Sequence, residues 1–345
     1  MQLSPITLDD VAAHAGVSPK TVSRVLNNEP NVRATTREAV LAASLELGYR
    51  PNRAARTLAG SRSFLIGHLH GRADRDYILS ANEGIHAACF QHGYVLLPEP
   101  LLDPNDGFVV RLQQFLQTAP VDGVILTPPL TDHEPLLAFL KARNIPIVSI
   151  SPEKVRKNIA SVYIDEKEAA KAMTRHLMSL GHEKIGFIAG PDDHGASQLR
   201  TEGFLEVITQ GGLDVSQCPQ DKGNFTLKSG ALAAERIFET DPDITAIFAA
   251  NDAMAAGAMT SAFKRGLSVP DDISIAGFDA SPLGEVLWPA LTTIQQPVAS
   301  MAKAATLWLI SGALARTEDP LRERFDFDLI VRASTSVPRC KRTDD

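Results

Sequence analysis

The chain has 345 residues, 44% of them apolar and 22% charged, with a net charge of −7. Those values suit a globular protein of two or three domains, and no run approaches the ~18 uncharged apolar residues that a membrane span requires. The three cysteines, Cys89, Cys218 and Cys340, are too scattered for a disulfide framework or a zinc site, and residues 1–20 lack the apolar stretch of an export signal. The expectation is a cytoplasmic protein.

Charge is unevenly spread. Residues 1–62 hold eight Lys or Arg against five acids, a net of +3, and the rest of the chain is net −10. A basic module on an acidic body implies that only the first segment meets a polyanion.

Thr7 followed by Asp10 has the form of a capping box and predicts a helix start. Leu8, Val11, Ala12 and Ala15 fall on one face of that helix, and Gly16 ends it. Ser18 is a natural N-cap and Pro19 suits the first helical position, so a second helix follows at once. It turns Val22, Val25 and Leu26 inward and leaves Lys20, Thr21, Arg24 and Asn27 on the other side. A third helix is predicted over Thr36 to Leu47, with Val40, Ala43 and Leu47 inward and a stop at Gly48. Two short helices around a glycine turn, the second one polar, make a helix-turn-helix that lays its second helix in the DNA major groove. A plain three-helix bundle fits the same pattern.

The stretch YRPNRAARTLAG, residues 49–60, predicts a helix of about two turns that is too short to persist alone in water. It presents Arg53 and Arg56 beside Ala54, Ala55 and Leu58. Arginines can sense a narrow minor groove, and one large apolar side chain can part a base step. An ordinary connector, with Leu58 in an interface, is the plainer alternative.

The strings TLDDVAAHAGVSPKTVSRVLNNEPNVRATTREAV and LGYRPNRAARTLAG resemble the DNA-binding headpiece and hinge of the LacI/GalR family of bacterial transcription regulators. The resemblance covers about 55 residues. It implies that the positions of Ser18, Lys20, Thr21, Ser23 and Arg24 meet operator DNA, and Thr7, Pro19, Asn27, Asn52, Arg53, Ala55 and Arg56 are expected to join them. It also implies that Leu58 intercalates at the operator centre. Pro19 and Lys20 hold the variable, specificity-setting places.

From Phe64 onward the apolar runs FLIGHLH, GYVLL, DGVILT, IPIVSI, SVYID, KIGFIA, TAIFAA and DISIAGF alternate with amphipathic stretches. That pattern predicts parallel sheets flanked by helices, restarting near Ser161 to give two similar α/β lobes with a cleft between them. The architecture resembles the periplasmic-binding-protein-like sensor of the same family. The resemblance implies three crossings between lobes, placed near Ser161, Leu291 and Pro320, with the helix Pro297 to Gly312 returning to the first lobe.

Ligands of open parallel sheets bind beyond the carboxyl ends of the strands. The polar residues predicted there are His70, Thr127, Ser149, Asp165, Asn251, Asp252 and Asp279, with Ser197 and Arg200 on the helix after KIGFIAG. Such groups suit a polyhydroxylated molecule, Arg200 forking two donors and Asp279 accepting two hydroxyls. Asp165 and Asp252 can equally be helix caps. ASQLRTEGF and AGFDAS resemble the family's effector-binding arginine and aspartate segments. HGRADRDYILSANEG departs from the family pattern, so His70, Asp76 and Tyr77 are read as contacts to an unusual effector. Trp288 can stack on a sugar face or pack between subunits.

No P-loop, GxGxxG after a strand, HExxH or GxSxG is present, and the nine histidines are scattered. The chain is therefore read as a non-enzyme without metal or cofactor. The alternatives are a solute-binding protein, which would lack the headpiece, and an enzyme on the same scaffold. The expected layout is an all-α DNA-binding domain over 1–50, a hinge over 51–62, a two-lobed α/β sensor and dimerisation domain over 63–338, and a tail over 339–345. The end, RASTSVPRCKRTDD, has no leucine heptad, so a homodimer on a pseudo-palindromic operator in the nucleoid is expected, with a small polar effector, most naturally a carbohydrate.

Overall fold

The computed structural model describes residues 6–26, 32–49, 62–71, 74–101, 108–317 and 319–339. The chain divides into two compact units, Met1–Phe64 and Leu65–Asp345.

The first unit contains α1 (Leu8–Ala15), α2 (Pro19–Leu26) and α3 (Ala34–Glu46). Thr7 caps α1 in a full capping box: its hydroxyl accepts from the Asp10 N–H, and the Asp10 carboxylate takes the Thr7 N–H at 2.8 Å. Gly16 ends the helix at φ 65°, a left-handed conformation that lets the chain turn directly into α2. Ser18 then receives the Thr21 N–H at 3.2 Å. Val11, Ala12, Val22, Val25, Val40 and Ala43 form the buried core, with Leu8, Ala15, Leu26 and Leu47 around it. An exposed pair, His14 to Glu46 at 2.8 Å, joins α1 to α3.

The second unit is built on two sheets. In the first lobe β1 (Leu65–His70), β2 (Val95–Pro100), β3 (Gly123–Leu126), β4 (Ile147–Ile150), β5 (Ala160–Tyr163) and β11 (Arg322–Arg324) make a parallel sheet of order β11-β5-β4-β3-β1-β2. Its helices are α4 (Arg75–His92), α5 (Phe108–Thr118), α6 (Glu134–Ala142) and α12 (Val298–Ser311). In the second lobe β6 (Ile185–Ala189), β7 (Gln220–Lys222), β8 (Ala246–Ala249) and β9 (Ser274–Ala276) make a parallel sheet of order β7-β6-β8-β9. Here the helices are α7 (Glu166–Ser179), α8 (Gly195–Gln210), α9 (Leu227–Thr240), α10 (Asp252–Lys264) and α11 (Pro282–Val286). A separate antiparallel pair, β10 (Thr293–Gln295) with β12 (Asp328–Ile330), belongs to the connections between lobes.

Both cores follow from continuous apolar strands. Leu69, Phe108, Leu112, Val124, Leu126, Leu136 and Leu140 pack together in the first lobe. In the second, Phe187 stacks on Phe204 at 4.8 Å and meets Phe248 edge-on at 5.2 Å. Strands buried on both faces are what a parallel sheet covered by helices requires.

The two-lobed parallel architecture predicted from the runs is the one observed, and α12 packs against α4 and the first-lobe strands. β5 pairs with β4 inside the first sheet, so the first crossing follows Tyr163, close to Ser161. Past Pro320 the chain runs along the edge of the first sheet as β11, a strand that the apolar runs did not mark, before leaving through β12. The periodicity could not show this, because all three residues of β11 are exposed and charged, an edge strand without an apolar face.

Candidate effector and DNA-binding sites

Arg200 lies one turn into α8 and is 4% exposed. Its Nε donates to Glu166 Oε2 at 2.9 Å, one Nη donates to the Ala250 carbonyl at 2.5 Å, and the other stands 3.5 Å from Asp279 Oδ1. The guanidinium plane also rests on the Phe278 ring, 3.6 Å from its centroid. Burial alone would make the cation easier to deprotonate, but Glu166 and Asp279 outweigh it and hold Arg200 above its ordinary value. Asp279 takes a left-handed backbone, φ 106°, and accepts from Gln296 Nε2 at 2.6 Å. A non-glycine residue in that region is strained, and such strain clusters at ligand sites.

These groups line a cavity of about 20 Å³ between the lobes, with Asp74, Tyr77 and Ser151 from the first lobe and His194, Phe225 and Asp279 from the second. That is room for about one water. A second space of about 350 Å³ adjoins it, lined by Asp76, Ser80 and Gln296 and sharing Tyr77 and Asp279. Asp74, the N-cap of α4, accepts a hydrogen bond from the Asn251 amide of the other lobe.

Burial governs the titrations. It raises Asp279 well above the usual 3.8, an effect that Arg200 opposes and Asp74, Asp252 and Glu166 reinforce. Asp252 rises to about 7 through burial, although hydrogen bonds from Thr293 and Ser281 pull the other way. Asp74 is raised by burial. His194 falls to about 3, chiefly through burial and then through Arg200, and is a neutral ring at any ordinary pH.

Of the effector residues expected from sequence, Tyr77, Arg200 and Asp279 meet at the inner cavity, and Asp76 lines the adjoining space. Asn251 sits behind them as the N-cap of α10, its Oδ1 accepting the Met254 N–H at 3.0 Å. The remaining four are not brought to the cavity lining. His70 stays at the end of β1, half-buried beside His68 and outside the cavity. The Thr127 hydroxyl is taken by His68 Nε2 at 3.1 Å. Ser149 is inside β4, one residue before its end, and Ser151, just past that end, reaches the cavity instead. Ser197 lies on the opposite flank of α8, with Gln198 and Thr201, because helical spacing brings Ala196 and Arg200 to the cleft instead. Asp165 caps α7, and Asp252 holds the Ser281 N–H and the Thr293 hydroxyl, each at 2.6 Å. Trp288 is 91% exposed and is absent from the cavity lining.

Sequence reasoning missed Asp74, Ser151, Glu166, His194 and Phe225. Asp74 and Glu166 look like helix-start acids. Phe225, at φ 61°, follows β7, a three-residue strand with no apolar signal.

In the first unit Val22 and Val25 turn into the core, so Pro19, Lys20, Thr21, Ser23 and Arg24 fall on the outer side of α2. Thr7 and Ser18 spend their hydroxyls on caps. Asn27, Asn52, Arg53, Ala55, Arg56 and Leu58 lie outside the described residues.

A helix-turn-helix unit joined to a two-lobed sensor whose cleft converges on buried polar groups is the build of an effector-controlled transcription regulator. The comparisons agree. Residues 7–52 match the family of bacterial regulatory proteins named for lacI, and residues 174–335 match a periplasmic binding protein-like domain. The ribose operon repressor of Halalkalibacterium halodurans is 34% identical over 335 residues, 95% of this chain and 97% of the relative. The regulator CelR of Thermobifida fusca is 33% identical over 341 residues, 95% and 98% of the two chains. Among solved structures, a CelR-cellobiose complex superposes with a TM-score of 0.72 at 30% identity, covering 95% of this chain and 99% of that one. A lac repressor dimer bound to operator and the anti-inducer ONPF gives 0.76 at 29%, covering 96% and 100%. The chain belongs to the lacI family: it is a DNA-binding transcriptional regulator, not an enzyme. Among the described residues no helix is long and apolar enough to cross a membrane.

Proposed function

We propose that this protein is a dimeric repressor whose hold on a pseudo-palindromic operator is set by a carbohydrate bound between the lobes around Arg200 and Asp279. The observation that carries the reading is Arg200, fixed by Glu166 and Ala250 and aimed at Asp279 on the cavity wall. The fork holds the Glu166 and Asp279 carboxylates in place on the cavity wall, and a carboxylate held this way can accept from vicinal sugar hydroxyls. Relatives described as a ribose operon repressor and as a complex with cellobiose support the ligand class.

The polar side of α2, with Lys20, Thr21, Ser23 and Arg24, reads the major groove, and the hinge, with Arg53, Arg56 and Leu58, enters the minor groove. Two such units on a two-fold axis read both half-sites. Ligand binding closes the cleft and changes the separation of the first lobes, hence the hinges. By linkage, effector and operator alter each other's affinity by one common factor. The working site is the nucleoid.

A thermal-shift screen of sugars on the full chain tests the ligand class, because a ligand bound to the native state raises the melting temperature. The reading predicts a hit that disappears in Asp279→Ala. A hit of equal size in that variant removes the assignment of the site.

A further inference from the structure

The interlobe cavity is rich in acid and in hydrogen-bond acceptors. Asp74, Glu166 and Asp279 line it, and Asp252 is close enough to raise Asp279. Arg200 is the one cationic side chain among the described lining residues, and its fork is already engaged with Glu166, the Ala250 carbonyl and Asp279. His194 adds no charge.

The unsatisfied atoms at the cavity can all accept. Glu166 is 3% exposed, and its Oε1 has no hydrogen-bond partner. His194 is 8% exposed, and its Nδ1 has none; on a neutral ring that nitrogen can be an acceptor. Gln296, 6% exposed, lines the adjoining space with Oε1 unpaired. The Tyr77 and Ser151 hydroxyls, also without a well-formed hydrogen bond, can accept as readily as donate. A buried acceptor left unmet is destabilising, so the complementary ligand is one that donates.

A neutral sugar hydroxyl brings one donor with two acceptor lone pairs, whereas an ammonium brings three donors, no acceptor and a positive charge. A phosphate or carboxylate would meet three carboxyl groups with no free cation among the described lining residues to offset it. We propose that the effector is an amine-bearing carbohydrate whose ammonium is met by the unpaired Glu166 Oε1 in the cavity that Asp74 also lines, with its ring hydroxyls on Ser151, Tyr77 and Gln296. This rests on the reading of the cleft as the effector site.

The crowded carboxyls supply an independent readout. Asp74, Asp252 and Asp279 all hold their protons to higher pH than usual. A bound ammonium favours their ionised forms, so its binding releases protons.

The test uses full-length protein and matched sugars: glucosamine, galactosamine and the β-1,4 disaccharide of glucosamine, each against its neutral parent and its N-acetyl derivative. Titration calorimetry in two buffers of different ionisation heat measures affinity and proton release together. At least one amine should bind about tenfold tighter than both partners and release protons. Glu166→Gln should narrow that preference to about twofold, and Asp74→Asn, which keeps a capping side chain, replaces it should Glu166→Gln not fold. A neutral sugar that binds as tightly as its amine overturns the charge inference and leaves the carbohydrate reading intact. If no member of either series binds, both fall.

Discussion

The Asp74 carboxylate of the first lobe accepts a hydrogen bond from the Asn251 amide of the second, and each residue is also the N-cap of its own helix. The interlobe bond is therefore held between two helix starts, and the caps fix where both side chains point. Opening the cleft breaks this bond without uncapping either helix.

Asn251→Asp keeps an oxygen for the Met254 N–H but sets a carboxylate against Asp74. Like charges this close favour the open cleft. Effector affinity should fall about tenfold or more, with small-angle scattering reporting a larger radius for the sensor. An unchanged affinity would contradict the latch.

Gly195 begins α8 in the second lobe, and a Cβ there would run into the Cα and Cβ of Glu153 in the first. Glu153 cannot easily retreat, because its N–H donates to Asp132 at 2.9 Å. Alanine in a helix is ordinarily favoured over glycine by up to about 1 kcal/mol. Gly195→Ala should therefore leave the melting temperature level or slightly higher while weakening effector binding about tenfold. A loss of stability with affinity preserved would show that the collision is relieved elsewhere.

Asp252 titrates near 7 in the folded chain against 3.8 ordinarily. A raised folded value means the native state binds the extra proton, so its stabilisation is complete below about pH 4 and is lost as pH rises through about 7. Asp252→Asn removes that titration at the cost of one acceptor for the Ser281 N–H or the Thr293 hydroxyl. In urea unfolding between pH 4 and pH 8, the stability difference should move toward the variant by on the order of a few kcal/mol. A difference independent of pH would mean that Asp252 is ionised throughout.

Thr7→Ala deletes the capping box of α1 and should destabilise the amino-terminal unit by about 1 kcal/mol. Hydrogen exchange would rise in residues 8–15 and stay unchanged around Arg200. Equal protection in both proteins would show the cap to be dispensable.

The headpiece was legible because each signal is local: Thr7 with Asp10, Gly16, Ser18 and Pro19 sit at the helix ends they predict. The sheets were legible because parallel strands covered on both faces are continuous apolar runs. β11, exposed and charged, carries no such mark, and the edge strand of the first sheet was not legible for that reason. Within the cleft, Arg200 and Asp279 stood out by chemistry and motif. Ser197 against Ala196 is a matter of helix rotation, and Ser149 against Ser151 of where a strand stops; neither is written in residue type. Asp74 and Glu166 were hidden by doing what acids at helix starts commonly do, since facing another lobe is a tertiary property.

The central claim is that a ligand at Arg200 and Asp279 sets the affinity of the amino-terminal unit for operator DNA. It is tested most directly by fluorescence anisotropy on an operator fragment recovered by footprinting this protein's own genome, at fixed salt, with and without effector. The account predicts a change in Kd of about tenfold or more for the wild type and none for Asp279→Ala, which still binds the fragment. An effector response of equal size in Asp279→Ala, or the absence of any specific fragment, would contradict it.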